Sequence, residues 1–140
     1  MSTAELLNIN YADADDRGVL SLIRAAREGI SFTTFAGFVD KSPFDLADWS
    51  AFLHLSERTM QRYKKEARTF DTPQSEKILE IALLYNKGTD VFGNAGKFNL
   101  WLDSPNLALG RTAPKSLMDS SFGLSLLKDE LGRIEHGILA

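Results

Sequence analysis

Cysteine is absent from this 140-residue sequence, and proline and tryptophan are rare, with four and two residues respectively. The lack of cysteine excludes disulfide bonds, thiol catalysis and cysteine-based zinc sites. No apolar run reaches the roughly eighteen residues that a membrane-spanning helix needs. The acidic N-terminus also lacks the positive-then-apolar order of a secretory signal. We therefore expect a cytoplasmic protein that does not bind a membrane.

Side chains that could carry out catalysis or hold a metal are also scarce. The two histidines, His54 and His136, are far apart in the sequence. Glu135 is next to His136, but adjacent residues of a helix do not face each other. Gly93 and Gly96 lack the preceding strand that a phosphate-binding glycine loop follows. Since no nucleophile–base pair stands out either, we predict no enzymatic activity, no metal and no cofactor.

Helical signals run along most of the chain. Apolar residues recur at helical spacing, and no segment alternates as a strand would. Serines at 31, 56 and 120 are placed as helix N-caps, and Gly29 as the end of a helix. Three cap-plus-proline pairs, at 42–43, 72–73 and 104–105, are taken as further helix starts. The sequence therefore predicts an all-α fold of about eight helices.

Two details of this prediction concern register and boundaries. In the helix expected from Pro43 to Phe52, the core candidates are Phe44, Leu46, Ala47 and Phe52. Gly88 is expected to end the helix that follows Pro73, and a new helix is expected from Thr89 to Leu102. A soft domain boundary is therefore placed near Gly88.

The segment HLSERTMQRYKKEAR, at 54–68, is basic within an acidic chain. From Leu55 to Phe70 there are five Lys or Arg residues and two Glu, whereas the whole protein has a formal net charge of −3. With Ser56 as the N-cap, the helix that follows has two different faces. Arg58, Gln61, Arg62 and Lys65 lie on one face, and Met60, Tyr63 and Ala67 lie on the other.

A helix ending near Phe52, a short turn and a helix starting at Ser56 have the length and order of a helix-turn-helix. The early residues of the second helix in that motif meet base edges in the major groove. The candidates for base contacts are Arg58, Thr59, Gln61 and Arg62. The candidates for phosphate contacts are Lys64, Lys65 and Arg68. The alternative interpretation is a solvated charged face on an ordinary helical bundle.

Five stretches of the chain form a recognisable set: LSERTMQRYKKEA at 55–67, SEKILEIALLYNKGTDVFG at 75–93, WLDSPNLALGRTAP at 101–114, SLM at 116–118 and the terminal LGRIEHGILA. In these stretches the chain resembles the MbcA/ParS/Xre antitoxin family, whose members are partners of RES-domain toxins. Two departures stand out. Arg111 occupies a position where a second glycine is expected, and Ala113 separates Thr112 from Pro114.

The N-terminal segment 1–16 is expected to be flexible, and the resemblance implies two functional domains after it. The domain over 17–88 would be a helix-turn-helix bundle that forms a homodimer and binds the operator double-stranded DNA of its own operon. The small helical domain over 89–140 would bind a RES-domain toxin that consumes NAD and block its active site. Thr59 and Arg62 match the helix-turn-helix signature. The residues with implied structural roles are Trp101, Asn106, Leu109, Gly110 and Pro114, and those with implied toxin contacts are Arg133, His136, Gly137, Ile138, Leu139 and Ala140.

The apolar end of the chain fits this implication, because an apolar terminus on a rigid helix can fill a cleft in a partner. Arg133 could pair with acidic groups there, as arginine anchors often dominate interfaces. The alternative is that Ile138 packs on its own domain and the last residues are disordered. Two other functions remain open: a stand-alone DNA-binding regulator with a small C-terminal sensor domain, and a protein-interaction module that does not bind DNA.

Overall fold

The computed structural model describes residues 2–11 and 15–137, and within these ranges the fold is all-α, as predicted. Its eight α-helices are α1 Thr3–Leu6, α2 Asp16–Glu28, α3 Phe32–Val39, α4 Leu46–Leu53, α5 Glu57–Glu66, α6 Thr72–Phe92, α7 Ala95–Asp103 and α8 Ser121–Glu135. Short 3-10 turns at Leu107–Leu109 and Pro114–Leu117 separate α7 from α8. None of the described helices combines the length and apolar character needed to cross a membrane.

The chain divides into two compact units, Met1–Leu83 and Leu84–Ala140. The division falls inside α6, which therefore contributes residues to both units. Because the helix is continuous there, no turn or helix-breaking residue in the sequence marks the division.

The serine caps expected from the sequence are confirmed. The side chains of Ser31, Ser56 and Ser120 each accept a hydrogen bond from the backbone N–H three residues later, at the starts of α3, α5 and α8. Gly29 follows the end of α2 with a φ of 88°, also as expected. These caps satisfy backbone donors that a helix leaves free in its first turn.

Two of the three helix starts expected from cap-plus-proline pairs are wrong. After Ser42–Pro43, helix α4 begins only at Leu46, because Asp45 and Asp48 form a reciprocal capping box. After Ser104–Pro105 the next helical turn begins at Leu107, with Asn106 as its cap. Proline is tolerated in a first turn but supplies no capping acceptor, so the carboxylate and amide side chains decide where these elements start.

The later start of α4 changes which of its side chains reach the core. Trp49 is only 1% exposed, whereas Leu46 and Ala47, which were expected in the core, lie at the surface. The indole lies edge-on to the Phe35 ring, with the two centroids 4.9 Å apart. Its other aromatic neighbours are Phe38, Phe44 and Phe52. Trp49 is therefore the centre of an aromatic core in the first unit, and edge-to-face contacts of this kind add to the energy of burial.

Hydrogen bonds join the two ends of the segment that contains α3, α4 and α5. The N–H of Phe70 donates to the carbonyl of Ile30 at 2.8 Å. The buried Ser75 hydroxyl accepts from the N–H of Ile30 at 2.9 Å and donates to the carbonyl of Phe70 at 3.1 Å. A Cβ atom at Gly29 would lie 2.6 Å from the Phe70 oxygen, so this approach requires glycine. We refer to this contact of Ile30, Phe70 and Ser75 as the closed neck.

Residues 2–11 belong to the segment 1–16 that is expected to be flexible. They form α1 and bury Leu6, Leu7 and Ile9. Burial raises the pKa of Tyr11 to about 12, and the charge of Glu80 contributes in the same direction. The three apolar side chains gain enough from leaving water to offset the entropy lost on ordering this short segment.

The expectation that Gly88 ends a helix and that a new helix starts at Thr89 is wrong, because α6 continues to Phe92. Gly93 follows it with a φ of 87°. A Cβ atom at Gly88 would lie 2.1 Å from the ring of Phe98, so glycine is required here for packing inside the second unit. A buried aromatic ring compensates for the low helix propensity of glycine, which costs about 1 kcal/mol relative to alanine.

The block WLDSPNLALGRTAP folds into a turn organised by Asn106. Its side-chain oxygen accepts from the N–H of Ala108 at 2.8 Å, and its carbonyl accepts from the N–H of Arg111 at 2.8 Å. Gly110 and Arg111 have φ values of 70° and 65°. Arg111 thus adopts the left-handed conformation that glycine prefers, and the turn keeps this geometry despite the arginine. Of the other residues implied to be structural, Leu109 and Pro114 are buried and Trp101 is half-buried.

Candidate nucleic-acid interface and partner surface

Helices α4 and α5 are joined by a tight turn. His54 ends α4 in the left-handed conformation, with φ 55° and ψ 39°. The side chain of Ser50 donates to the carbonyl of Leu55 at 2.7 Å, and the N–H of Leu55 donates to the carbonyl of Ser50 at 3.1 Å. These two bonds and the Ser56 cap fix the direction in which α5 leaves the turn.

One face of α5 packs on α3 and α4, and the opposite face is at the surface. Met60 and Tyr63 are buried, as expected. Ala67 was expected on the same face, but it lies at the surface in the left-handed conformation with a φ of 51°. The helix ends at Glu66, so the helical spacing that would have turned Ala67 inward no longer applies.

Five of the seven predicted DNA-binding residues line one concave surface of α5: Arg58, Thr59, Gln61, Arg62 and Lys65. We call this the basic surface. The long side chains are exposed, and Thr59 is half-buried, with its hydroxyl accepting a hydrogen bond from Ser56 at 2.9 Å. The arrangement gives one α-helical face several donors that can reach phosphate oxygens and base edges.

The other two predicted DNA-binding residues lie beside this surface. Lys64 is exposed, but it lines a neighbouring groove that includes Phe35 and Trp49. Arg68 places its guanidinium 4.7 Å from the centroid of the Tyr63 ring. The Arg68 side chain also lies 3.9 Å from the carboxylate of Glu66. Stacking on tyrosine restricts this arginine, so it is presented in a fixed position just past the end of α5.

The second predicted partner surface is at the end of α8, which is anchored by Leu124, Leu127 and Leu131. Arg133 is exposed, and its Nη1 atom donates to the carboxylate of Glu130 at 2.8 Å. Glu130 is only 5% exposed, so this bond neutralises a carboxylate that burial would otherwise penalise. Arg133 is thus already paired within its own helix.

A second ion pair holds the last turn of α8. The ammonium group of Lys87 donates to Glu135 at 2.6 Å, and this bond holds the pKa of the Glu135 carboxyl below its usual value. His136 is exposed, and its Nε2 atom lies 4.0 Å from the same carboxylate. Gly137 follows with a φ of 71°. Ile138, Leu139 and Ala140 lie outside the described residues, so the tail of the predicted toxin contact is not placed.

Exposed apolar side chains are a feature that reasoning from the sequence missed. Phe122 is 92% exposed, and Leu126, one turn further along α8, is also at the surface. Leu100 and Leu107 are exposed elsewhere in the second unit. In the first unit, Val19, Leu20 and Ile23 of α2 are exposed. A helical projection of α8 started from the Ser120 cap would have placed Phe122 and Leu126 away from the buried leucines.

Within the described parts of the chain, no three His, Asp or Glu side chains come together as a metal site would require. His54 lies in the turn between α4 and α5, and His136 follows the end of α8.

Two family models match the chain on either side of the division in α6. The Antitoxin Xre-like helix-turn-helix domain matches residues 21–83. The Antitoxin Xre/MbcA/ParS C-terminal toxin-binding domain matches residues 87–137. The first match contains α4, α5 and the basic surface, and the second contains the Asn106 turn and α8 as far as Gly137.

The chain is also similar to two proteins named Antitoxin Xre. The protein from Yersinia enterocolitica is 29% identical over 87 residues, which are 61% of this chain and 59% of the relative. The protein from Photorhabdus laumondii is 26% identical over 114 residues, which are 81% of this chain and 77% of the relative. The match to the Yersinia protein thus spans less than two thirds of its length. Taken together, the two domain matches and these relatives show that the chain belongs to the Xre/MbcA/ParS antitoxin family.

Proposed function

We propose that this protein is the antitoxin of a type II toxin–antitoxin system. It neutralises a RES-domain toxin that consumes NAD by blocking the toxin's active site, and it represses its own operon through the helix-turn-helix. The observation that carries the proposal is the pairing of two surfaces on one chain. A cationic helix face lies in the unit that matches a helix-turn-helix domain, and an exposed helix end lies in the unit that matches a toxin-binding domain.

The basic surface supports the DNA-binding half of the proposal. Arg58, Gln61 and Arg62 are exposed in the first two turns of α5, where a recognition helix meets base edges. Lys65 and Arg68 follow toward the end of the helix and suit contacts with phosphates. A homodimer would present two such surfaces to the two halves of a symmetric operator, and this would offset the net charge of −3 on each chain.

The end of α8 supports the toxin-binding half. Its two ion pairs, Arg133 with Glu130 and Lys87 with Glu135, hold the helix rigid up to the last turn. The residues that follow it in the sequence are Gly137, Ile138, Leu139 and Ala140, which are mostly apolar. A rigid helix loses little entropy when it places such a sequence in a cleft, which is how the toxin's active site would be covered. In this role the protein acts as a regulatory binding partner and not as an enzyme.

The DNA-binding half is tested by measuring operator affinity for Arg62→Ala over a range of salt concentrations. If Arg62 reads a base, the free energy of operator binding weakens by about 1–3 kcal/mol, and the salt dependence of the affinity changes little. Lys65→Ala should instead reduce the slope of log affinity against log salt by about one unit, because one phosphate contact is lost. Arg17→Ala is the matched control, an exposed arginine outside the basic surface. Unchanged operator affinity in Arg62→Ala would reject the assignment.

The toxin-binding half is tested with a chain that lacks residues 138–140, co-expressed with the cognate RES-domain toxin. The truncated chain should fail to restore growth while it still shifts operator DNA. The control is Arg62→Ala, which should restore growth fully. A truncated chain that still neutralises the toxin would contradict the proposed role of the tail. A full-length chain that neutralises the toxin but does not bind operator DNA would indicate instead a partner-binding module without DNA binding.

A further inference from the structure

Helix α2 has an apolar face that its own unit leaves exposed. Leu20 is 61% exposed, and Val19 and Ile23 are 43% and 41% exposed. Ala25, on the other side of the helix, is buried in the core, and Ala26 is buried next to Val19 and Ile23. Apolar side chains that lie singly at a surface are ordinary, but three on one helix face form a continuous patch.

Charged residues extend this patch at both ends. Asp16, Leu20, Ile23 and Arg27 follow one another at spacings of four, three and four residues, so they share one face of α2. All four lie at the surface. We call these four residues the α2 stripe. The spacing is that of the contact positions in paired helices, where apolar residues alternate every three and four positions.

A groove of about 420 Å³ runs beside the stripe, between α2 and the first turns of α6. Ala26 and Leu79 are its buried apolar residues. Val19 and Ile23 line it from α2, and Glu76 lines it from α6. The stripe is therefore next to a concave surface that can receive side chains from a second helix.

The order of the stripe residues makes it complementary to itself. An acidic residue begins it, a basic residue ends it, and two apolar residues lie between them. If a second copy is laid antiparallel, Asp16 faces Arg27 of the second copy and Leu20 faces Ile23 of the second copy. A parallel arrangement would instead place Asp16 against Asp16 and Arg27 against Arg27, and both contacts would be repulsive.

We infer that two copies of this chain pair through their α2 stripes, antiparallel and about a twofold axis that passes between Leu20 and Ile23. Such an interface uses the same patch on both copies, as a twofold dimer requires. The inference rests on the proposed function for the expectation of a homodimer, and it adds the surface and the direction of pairing. None of the residues that line the α2 groove belongs to the basic surface, so the two surfaces involve separate side chains.

The absence of native cysteine allows a direct test of this geometry. Chains carrying Asp16→Cys and chains carrying Arg27→Cys are co-expressed and exposed to a mild oxidant. The antiparallel pairing brings the two cysteines together in mixed dimers, so a disulfide-linked dimer should form. Either chain alone should remain uncrosslinked. Like positions in the antiparallel pair are about 16 Å apart along the helix axis, beyond the roughly 7 Å between Cα atoms that a disulfide can span.

The apolar part of the stripe is tested by the mass of the full chain in solution, measured by light scattering over a dilution series. Leu20→Glu places a charge at the centre of the interface and should weaken dimerisation on the order of 100-fold. The matched control is Leu107→Glu, an exposed leucine in the second unit, which should leave the dimer intact. Unchanged circular dichroism for both variants shows that the substitutions, both at the surface, leave the fold in place.

Each outcome separates this inference from the proposed function. If the wild-type chain is a dimer, the α2 interface is wrong when Leu20→Glu still dimerises, or when cysteines at positions 16 and 27 form no disulfide. Either result leaves the proposed homodimer itself uncontradicted. A disulfide in Asp16→Cys chains alone overturns the antiparallel direction. If the wild-type chain is monomeric and still neutralises the toxin, the pairing is wrong and the antitoxin function is not contradicted. The stripe would then be covered by another segment of this chain or by the toxin.

Discussion

Helices α5 and α8 each carry a proposed partner surface, but they use charge in opposite ways. On α5, Arg58, Arg62 and Lys65 are exposed and line the same concave surface. On α8, Arg133 and Glu135 are each joined to a residue of their own unit, at 2.8 and 2.6 Å. Charge on α5 is presented to a partner, whereas charge on α8 fixes the helix end.

This difference follows from the chemistry of the two partners we propose. DNA is a polyanion whose binding is driven by releasing counterions, so a reader helix gains from cations that stay at the surface. A protein cleft gains from a rigid, apolar insert, and charges that are already paired do not have to be desolvated without a partner. Operator binding should therefore weaken with salt more steeply than toxin binding.

The two units also differ in how their cores are built. The first unit packs aromatic rings around Trp49. In the second unit the tryptophan, Trp101, is only half-buried, and close approaches that require glycine occur inside helices, at Gly88 and Gly123.

Trp49→Ala should destabilise the first unit by about 3–5 kcal/mol, since the indole is almost fully buried. Trp101→Ala, at a half-buried position in the second unit, should cost roughly half as much. Both are measured by urea denaturation followed by circular dichroism. The chain has two tryptophans, so each variant keeps one as a fluorescent reporter for the other unit. Equal losses in the two variants would contradict the difference in burial.

Gly123→Ala should destabilise the second unit by about 1–3 kcal/mol, because the new Cβ atom would lie 1.7 Å from the carbonyl oxygen of Leu117. Gly132→Ala is the matched control in the same helix. A Cβ atom there meets nothing within 4 Å, and alanine favours a helix over glycine by about 1 kcal/mol. Thermal melting should therefore move down for the first variant and up for the second. A shift in the same direction would refute the packing argument.

Arg111→Gly should stabilise the second unit by about 1 kcal/mol, since glycine adopts the left-handed conformation at this position without strain. Arg111→Lys keeps a positive charge and the strained backbone, so it should leave stability unchanged. Ala67→Gly is the equivalent change in the first unit, where Ala67 has a φ of 51°. Melting temperatures of the three variants separate the backbone effect from the effect of charge.

The smallest effect concerns Glu135 and pH. The hydrogen bond from Lys87 lowers the pKa of Glu135 in the folded state, so the pair adds stability above the unfolded pKa and loses it as pH falls through the folded one. Wild type should therefore be slightly more stable than Glu135→Gln at pH 7, and the difference should vanish as the pH falls below about 4. Chemical denaturation at several pH values measures it. A difference that grows toward low pH would have the wrong sign.

Local signals in the sequence predicted much of the fold and of the basic surface. The Ser56 cap lies three residues from the donor it satisfies, and it fixed the register that placed Arg58 and Arg62 outward. Ser31 and Ser120 worked in the same way. Helical spacing was enough wherever the cap was identified correctly.

Features that depend on other parts of the chain were not predicted. The burial of Trp49 depends on the capping box at Asp45 and on rings from α3, and Gly88 continues a helix because Phe98 packs on it. The exposure of Leu20 and Ile23 likewise depends on which other helices pack against α2. Apolar spacing shows that a helix has an apolar face, but not whether its own unit covers it.

The closed neck has a consequence for how this molecule can change. Ile30 and Phe70 are hydrogen-bonded to each other, so the intervening stretch leaves and returns at nearly one point. A segment whose ends lie side by side can be exchanged without changing the course of the chain on either side of it, and its contacts outside the two joints include those of α3 with α1. Residues 31–69 are in that sense a cassette. Exchange of this stretch would replace the proposed operator-reading surface and leave the proposed toxin-binding residues of the second unit unchanged.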